Sequence, residues 1–194
     1  MKHKSHGVPK VTDPRVEMTR SRIAAAFVAL VSKRAYGRLR VSDITRKAGI
    51  GRTTFYAHFD SKDALLEAEL ARIVLPMLVE LPTDPCLVDC TALFEHLRCA
   101  RDVYRSLTSG ASRAVTERII QDGFERRIQG MLDDRRARER RDPGLQDFIA
   151  RFVASTILAL IAWALDRPDP PSPAEMQATY RMLMGRALGA PRLD

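Results

Sequence analysis

The chain has 194 residues, 45% of them hydrophobic, and a formal net charge of +8; this is enough for one or two packed domains of ordinary soluble, globular composition. Residues 1–60 hold 13 Lys/Arg against 4 Asp/Glu, a net of +9 that leaves −1 for the rest, so a polyanion partner is expected at one end and a neutral body at the other. The start MKHKSHGVPK lacks the apolar core of a signal peptide, and the three cysteines form an odd set with no zinc-like CxxC pair, which implies a cytoplasmic protein with free, buried thiols.

Residues 1–12 are polar, basic and without periodicity, which reads as a flexible tail or as an arm lying along a DNA groove or phosphate track. Asp13-Pro14 starts a helix, with Asp as cap and Pro at the first helical position. Ile23, Phe27, Leu30 and Val31 recur at helical spacing to about Arg34, and Tyr36-Gly37 closes the element. The stretch VSDITRKAGIGRTTFYAHFDSK, from Val41 to Lys62, reads as two short helices joined by a tight turn. Ser42 is expected to cap the first, with Thr45 three residues on, while Ile44 and Ala48 face inward. Gly49 occupies the position of a left-handed C′ residue, Ile50 plugs the corner, and Gly51 caps the second helix. At about 100° per residue, Phe55 and Phe59 point inward and Thr53 and Ala57 outward, with Thr54 and Tyr56 on the flanks. Arg52 sits in the first turn. A reading helix in a major groove needs this disposition, with small or hydrogen-bonding groups at the tip and phosphate donors on its shoulders.

The run TFYAHFDSKDALL, preceded by AGIGRT, resembles the DNA-binding signature of the TetR family of transcriptional regulators. Thr54, Phe55, Tyr56, His58, Phe59, Lys62 and Leu65 stand where that pattern has them, and Gly51 departs from the Ser often found there. The resemblance is strong over the first third of the chain and architectural beyond it. It implies phosphate contacts from Ser42, Thr54, Tyr56, His58 and Lys62, with packing between helices as the other reading of Tyr56 and His58. Base readout is assigned as a hypothesis to Arg52, Thr53 and Ala57, Arg suiting guanine and the Ala methyl suiting a thymine methyl.

Beyond Lys62, DALLEAELARIVLPMLVEL continues helical through Leu65, Leu66, Leu70, Ile73 and Leu75; Pro76 kinks or ends it, and Pro82 and Pro85 mark a loop. In a TetR-like protein this is the helix connecting reader and body. A helix is expected from Leu87 to about Ala100, a shorter one over RDVYRSL, and a long one from Ala114 to about Arg138. The charged run DDRRARERRD at its end suits a solvated helix face, or a second nucleic-acid patch. Leu145 to Leu165 is the most hydrophobic segment. Arg151, with Asp147 and Asp166 flanking, argues for a buried helix and against a membrane span. After the loop RPDPPSP, Ala174 to Leu188 forms a last amphipathic helix. This terminal pair resembles the TetR dimerisation helices, which join a second copy in a four-helix bundle.

No GxSxG, P-loop or GxGxxG is present, and His96 has no carboxylate or nucleophile at a telling spacing, so no enzyme site is expected. Cys86, Cys90, His96 and Cys99 lie close enough to suggest a metal or thiol sensor, but their spacing matches no common zinc pattern, and small apolar core residues are the plainer reading. No metal or cofactor is expected. Leu93, Phe94, Leu97, Tyr104, Phe124 and Trp163 either line an apolar ligand pocket or are plain core. The expected protein is all-α: a tail over 1–12, a three-helix helix-turn-helix domain over 13–62, and a helical regulatory and dimerisation domain over 63–194. The expected function is a homodimeric, ligand-responsive repressor binding double-stranded palindromic DNA. The alternative is a helical ligand-binding or protein-interaction module with a vestigial helix-turn-helix.

Overall fold

The computed structural model describes residues 13–81, 87–139 and 142–188. The expected tail over 1–12 and the loop residues Pro82, Pro85 and Cys86 lie outside the described residues, as do the side chains of the Arg-rich run over 134–141. The chain is all-α, with an N-terminal helix-turn-helix followed by a helical body. Its one departure among the described residues is a two-residue antiparallel pairing, β1 (Val79–Glu80) with β2 (Val88–Asp89), in which Glu80 faces Val88.

Helix α1 (Pro14–Val31) starts as its sequence predicts: the Asp13 carboxylate accepts from Arg15 N at 2.9 Å. It stops at Val31, short of the expected Arg34, because Tyr36–Arg38 forms its own 3-10 turn that buries Tyr36 beneath the domain. Ile23, Phe27 and Val31 of α1 pack with Ile44 of α2 (Val41–Ala48), Phe55 of α3 (Arg52–Tyr56) and Leu65 of α4 (Lys62–Glu69). Leu107 joins this N-terminal core from far along the chain.

After Glu69 the helix widens into a π-helical turn over Leu70–Val74 and then tightens into a 3-10 turn, Leu75–Met77, containing Pro76. The π turn lies against Gly123, where an added Cβ would stand 2.7 Å from Leu70 Cδ2, so the connecting helix meets the body backbone to side chain. Helix α5 (Thr91–Cys99) begins four residues later than expected. Leu87 and Val88 are apolar because they are buried beside β1, not because they belong to a helix, and Leu87 takes a left-handed φ of 65°.

The body core gathers α5, α6 (Arg101–Leu107), α7 (Arg113–Glu139), α8 (Pro143–Asp166) and α9 (Pro173–Leu188) around Phe94, Phe124, Ile128, Val153, Ile157 and Tyr180. Despite Arg151, α8 is long and apolar enough to cross a membrane by length and composition. It packs along α7 on one face and contacts α9. Its other face leaves Leu145, Phe148 and Trp163 exposed, and α9 leaves Met182 and Leu183 exposed.

Candidate nucleic-acid interface

The turn between α2 and α3 is built from backbone geometry that the sequence announces. Gly49 takes φ 63°, ψ 42°; its N–H donates to Arg46 O at 3.3 Å, and Ile50 N donates to Thr45 O at 3.1 Å. These are the two bonds of a Schellman ending, and an L-residue with a Cβ is strained there. Arg22 of α1 closes the same end from outside, its Nη2 donating to Ala48 O at 2.7 Å and Gly49 O at 3.2 Å. The free carbonyls of α2 thus receive a fixed cation, which holds the turn against α1.

The start of α2 differs from expectation. Ser42 lies inside the helix, and the capping carboxylate is Asp43, whose Oδ2 accepts from Arg40 N at 3.1 Å. A carboxylate three residues into the helix satisfies the Arg40 amide, while Ser42, two positions past the N-cap Arg40, is not placed to cap. Ser42 remains half-buried at the helix start.

Gly51 precedes α3 in an extended conformation and no side chain caps the helix there. The helix is one turn and a half long, so Ala57 is its C-cap rather than part of a second turn. The chain keeps turning, with Phe59 N donating to Phe55 O at 3.0 Å, and this keeps Phe55 and Phe59 on one inner side. Their rings lie 5.9 Å apart, and the Arg20 guanidinium stands 4.7 Å from the Phe59 ring centre. Arg52, Thr53, Thr54, Tyr56 and Ala57 are all exposed on the opposite side. His58 is half-buried, its ring 6.4 Å from that of Phe59.

Lys62 is turned the other way. Its Nζ donates to Tyr36 O at 3.0 Å and Leu39 O at 3.1 Å and stands 4.3 Å from the Tyr36 ring centre. The neighbouring Asp63 carboxylate accepts from the Tyr36 hydroxyl. Burial, reinforced by this carboxylate, pushes the phenol well above its ordinary pKa, so it remains a donor. Lys62, Tyr36 and Asp63 therefore clamp the first turn of α4, itself capped by Ser61 Oγ accepting from Ala64 N at 3.0 Å, onto the reader domain. In this arrangement the Lys62 ammonium is not presented to a phosphate. Arg40, at the N-cap of α2, and Arg46 and Lys47, in its last turn, are also exposed and were not singled out by motif. Arg46 is only loosely tied, 3.8 Å from Asp43. The signal for them was available as the basic excess of residues 1–60.

In the body, Leu93, Phe94, Leu97, Tyr104 and Phe124 share one buried core. Trp163 does not join them: it is 42% exposed on the outer face of α8, with the Arg167 guanidinium 5.2 Å from its ring. A position one residue round the helix from Ala164 faces outward, which hydrophobicity alone did not reveal. The Tyr104 hydroxyl is buried without a hydrogen-bond partner among the described residues, and burial raises its pKa. His96, whose ring lies 5.8 Å from that of Tyr104, is pushed below its ordinary range by burial. Cys90 is buried and its thiol pushed up, first by desolvation and then by Asp89, whereas Cys99 is exposed. No group of three His, Cys, Asp or Glu residues suited to a metal ion occurs among the described residues. Body and reader also touch directly, Ser106 Oγ donating to Arg34 O at 2.6 Å, and within the body Arg126 of α7 pairs with Glu67 of the connecting helix α4 at 2.6 Å.

Comparison with known proteins agrees with this geometry. Residues 23–68 match the family model for bacterial regulatory proteins of the tetR family. An HTH-type transcriptional regulator of Bacillus subtilis, YxbF, is 42% identical over 64 residues, which are 32% of this chain and 17% of YxbF. The match thus spans about a sixth of that relative's length. Two solved structures share the fold over most of both chains, each at 20% identity: a TetR transcriptional regulator from Streptococcus agalactiae (TM-score 0.57, covering 88% of this chain and 95% of that one) and the dihydroxyacetone kinase operon activator DhaS (TM-score 0.59, 89% and 97%).

Proposed function

We propose that the chain, whose residues 23–68 match the family model for bacterial regulatory proteins of the tetR family, is a cytoplasmic transcriptional regulator of that family that reads duplex DNA as a homodimer. Residues 13–62 form the reader, residues 63–194 the pairing and regulatory body, and residues 1–12 a basic tail. The observation that carries the reading is the outward row of Arg52, Thr53 and Ala57, held by the Gly49 turn within the region of net charge +9. Arg52 has the reach for a guanine edge; Thr53 and Ala57 offer a hydroxyl and a methyl. Thr54, Tyr56 and His58 stand beside them for phosphates, with Ser42 at the start of α2, and Arg40, Arg46 and Lys47 extend the basic rim.

Pairing is supported by the seam of Leu145, Phe148, Phe152, Ser155, Ala159 and Trp163 along α8, spaced three or four residues apart and at least partly exposed, beside exposed Met182 and Leu183 of α9. A two-fold copy packed on this seam forms a four-helix bundle and presents two reading helices to successive major grooves about 34 Å apart, which calls for a near-palindromic site. Repression is the simplest sign of action, since it needs only occupancy of the operator. An effector that releases the DNA must prefer the non-binding conformation, because equal affinity shifts nothing.

The test is selection of bound duplexes from random DNA at two salt concentrations. Enrichment of a palindromic sequence with a steep salt slope is expected. On that sequence Arg52→Ala should cost about 1 to 3 kcal/mol, with discrimination relaxed at one base position. A uniform loss on all sequences reassigns Arg52 to a phosphate. No enrichment at either salt favours the second reading, a helical interaction module with a vestigial reader.

A further inference from the structure

We propose that Arg22 of α1 is a positioning residue for base readout: it fixes the tilt of α3 and thereby the discrimination between DNA sequences, a role that rests on the DNA-reading proposal above. Helix α3 has five residues and no side-chain cap at Gly51, and α2 has eight. Both are shorter than the roughly 12–15 residues at which a helix holds by itself in water. They meet across Gly49 and Gly51, two glycines within three residues, which makes a permissive joint. At roughly 1.5 Å per residue α3 spans about 7.5 Å, so a tilt of about 10° at this joint moves its far end by about 1.3 Å. A binding constellation has to be held to about 0.5 Å.

What stiffens the joint comes from α1. Ile23 is buried in one core with Ile44 of α2 and Phe55 of α3, which anchors the backbone next to Arg22 against both short helices. The Arg22 Nη2 then donates to Ala48 O at 2.7 Å and to Gly49 O at 3.2 Å. These are the carbonyls of the peptides that enter and leave the left-handed Gly49, so one nitrogen bridges them and neither φ nor ψ of Gly49 can turn without breaking a bond. Bonds from a charged donor are roughly twice as strong as neutral ones. Arg46, in the last turn of α2, does not take this place: it reaches back toward Asp43 at 3.8 Å. Two residues before Arg22, the Arg20 guanidinium stands 4.7 Å from the ring centre of Phe59, which follows α3 and lies 5.9 Å from the Phe55 ring. The two arginines bracket the unit, one at the joint before α3 and the other at the ring behind it. Arg22 itself is exposed, so its removal opens no cavity in the core.

The test uses the full chain with Arg22→Leu and Arg22→Lys. Affinities are measured for the duplex enriched by selection, for the same duplex with one base pair changed at the position that Arg52→Ala relaxes, and for a random-sequence duplex. Arg22→Leu should lower the ratio between the first two by about fivefold or more, the low end of what one base contact is worth. Affinity for the random duplex and the salt slope should hold. Arg22→Lys, whose ammonium ends one bond short of Nη2, should lower the ratio in the same direction by less, and it carries the test if Arg22→Leu fails to fold. Hydrogen exchange of the free protein, read by mass spectrometry, should quicken over residues 50–57 in Arg22→Leu and stay unchanged over α9. An equal loss on all three duplexes with a salt slope lower by about 0.9 makes Arg22 a phosphate contact and overturns the assignment. A lowered urea midpoint with unchanged ratio and exchange also overturns it, since Arg22 then only stabilises the fold. If selection enriches no duplex, the DNA-reading proposal fails separately, and exchange in the free protein still decides whether Arg22 holds α3.

Discussion

Replacing Lys62 by Met separates a structural clamp from a DNA contact. The ammonium holds Tyr36 O at 3.0 Å and Leu39 O at 3.1 Å and lies over the Tyr36 ring. Tyr36 O keeps a second donor, Leu39 N at 3.0 Å, so the substitution strands chiefly the carbonyl of buried Leu39. A hydrogen bond to a charged group contributes about 1.5–3 kcal/mol and a cation–π contact about 0.5–1 kcal/mol. Lys62 is half-exposed, so solvent screens part of this, and the Met side chain recovers some apolar contact. A net loss of about 2 kcal/mol follows, or a urea midpoint lower by roughly 0.7–1 M at an m-value of about 2–3 kcal/mol/M. The salt slope of DNA binding should not change. Were Lys62 a phosphate ligand, the midpoint would hold and the slope would fall by about 0.9; that pair of results refutes the clamp.

Gly49→Ala should cost about 1–2 kcal/mol, because φ is 63° and the new Cβ would stand 3.1 Å from Arg22 Nη2, and it should weaken DNA binding by tilting α3. Gly110→Ala, also at positive φ but with open space around it, should cost similar stability and leave DNA affinity intact; equal losses of affinity in both would defeat the turn argument. Burial holds the folded-state pKa of His96 below its unfolded value, so below about pH 6.5 the unfolded chain takes up a proton that the folded chain refuses. Stability is full above that pH and declines as pH falls toward the folded pKa, and His96→Asn should flatten the urea midpoint between pH 7 and pH 5. Phe148→Glu places a charge in the exposed α8 seam; sedimentation velocity should find monomers with unchanged helical circular dichroism, and an undissociated dimer would move the pairing surface elsewhere.

Features governed by neighbouring residues were legible without coordinates. The left-handed turn at Gly49, the inward Phe55 and Phe59 and the Asp13 cap each follow from backbone sterics or helical period within a few residues. Helix ends were less legible. Ser42 has the right chemistry for a cap, but only the position of Arg40 relative to Asp43 decides which oxygen reaches the amide. Leu87 and Val88 carry the hydrophobicity of a helix, yet Leu87 turns with a left-handed φ and Val88 pairs with Glu80 in a short strand, since periodicity over two residues does not distinguish these from a helix.

What the amino-acid order determined by itself is the reader: a two-helix unit whose turn, inner aromatics and outer small residues are all local choices. Tertiary structure decided what that unit is attached to. Lys62 belongs to a clamp because Tyr36 and Leu39, more than twenty residues earlier, bring their carbonyls to it. Leu107 sits in the reader's core while Trp163 lies outside the body's. Arg101 of α6 donates to Leu165 O and Arg167 O because α8 ends where α6 begins. These are contacts between residues distant in the chain, and their direction is set by how whole helices pack, which no local pattern encodes.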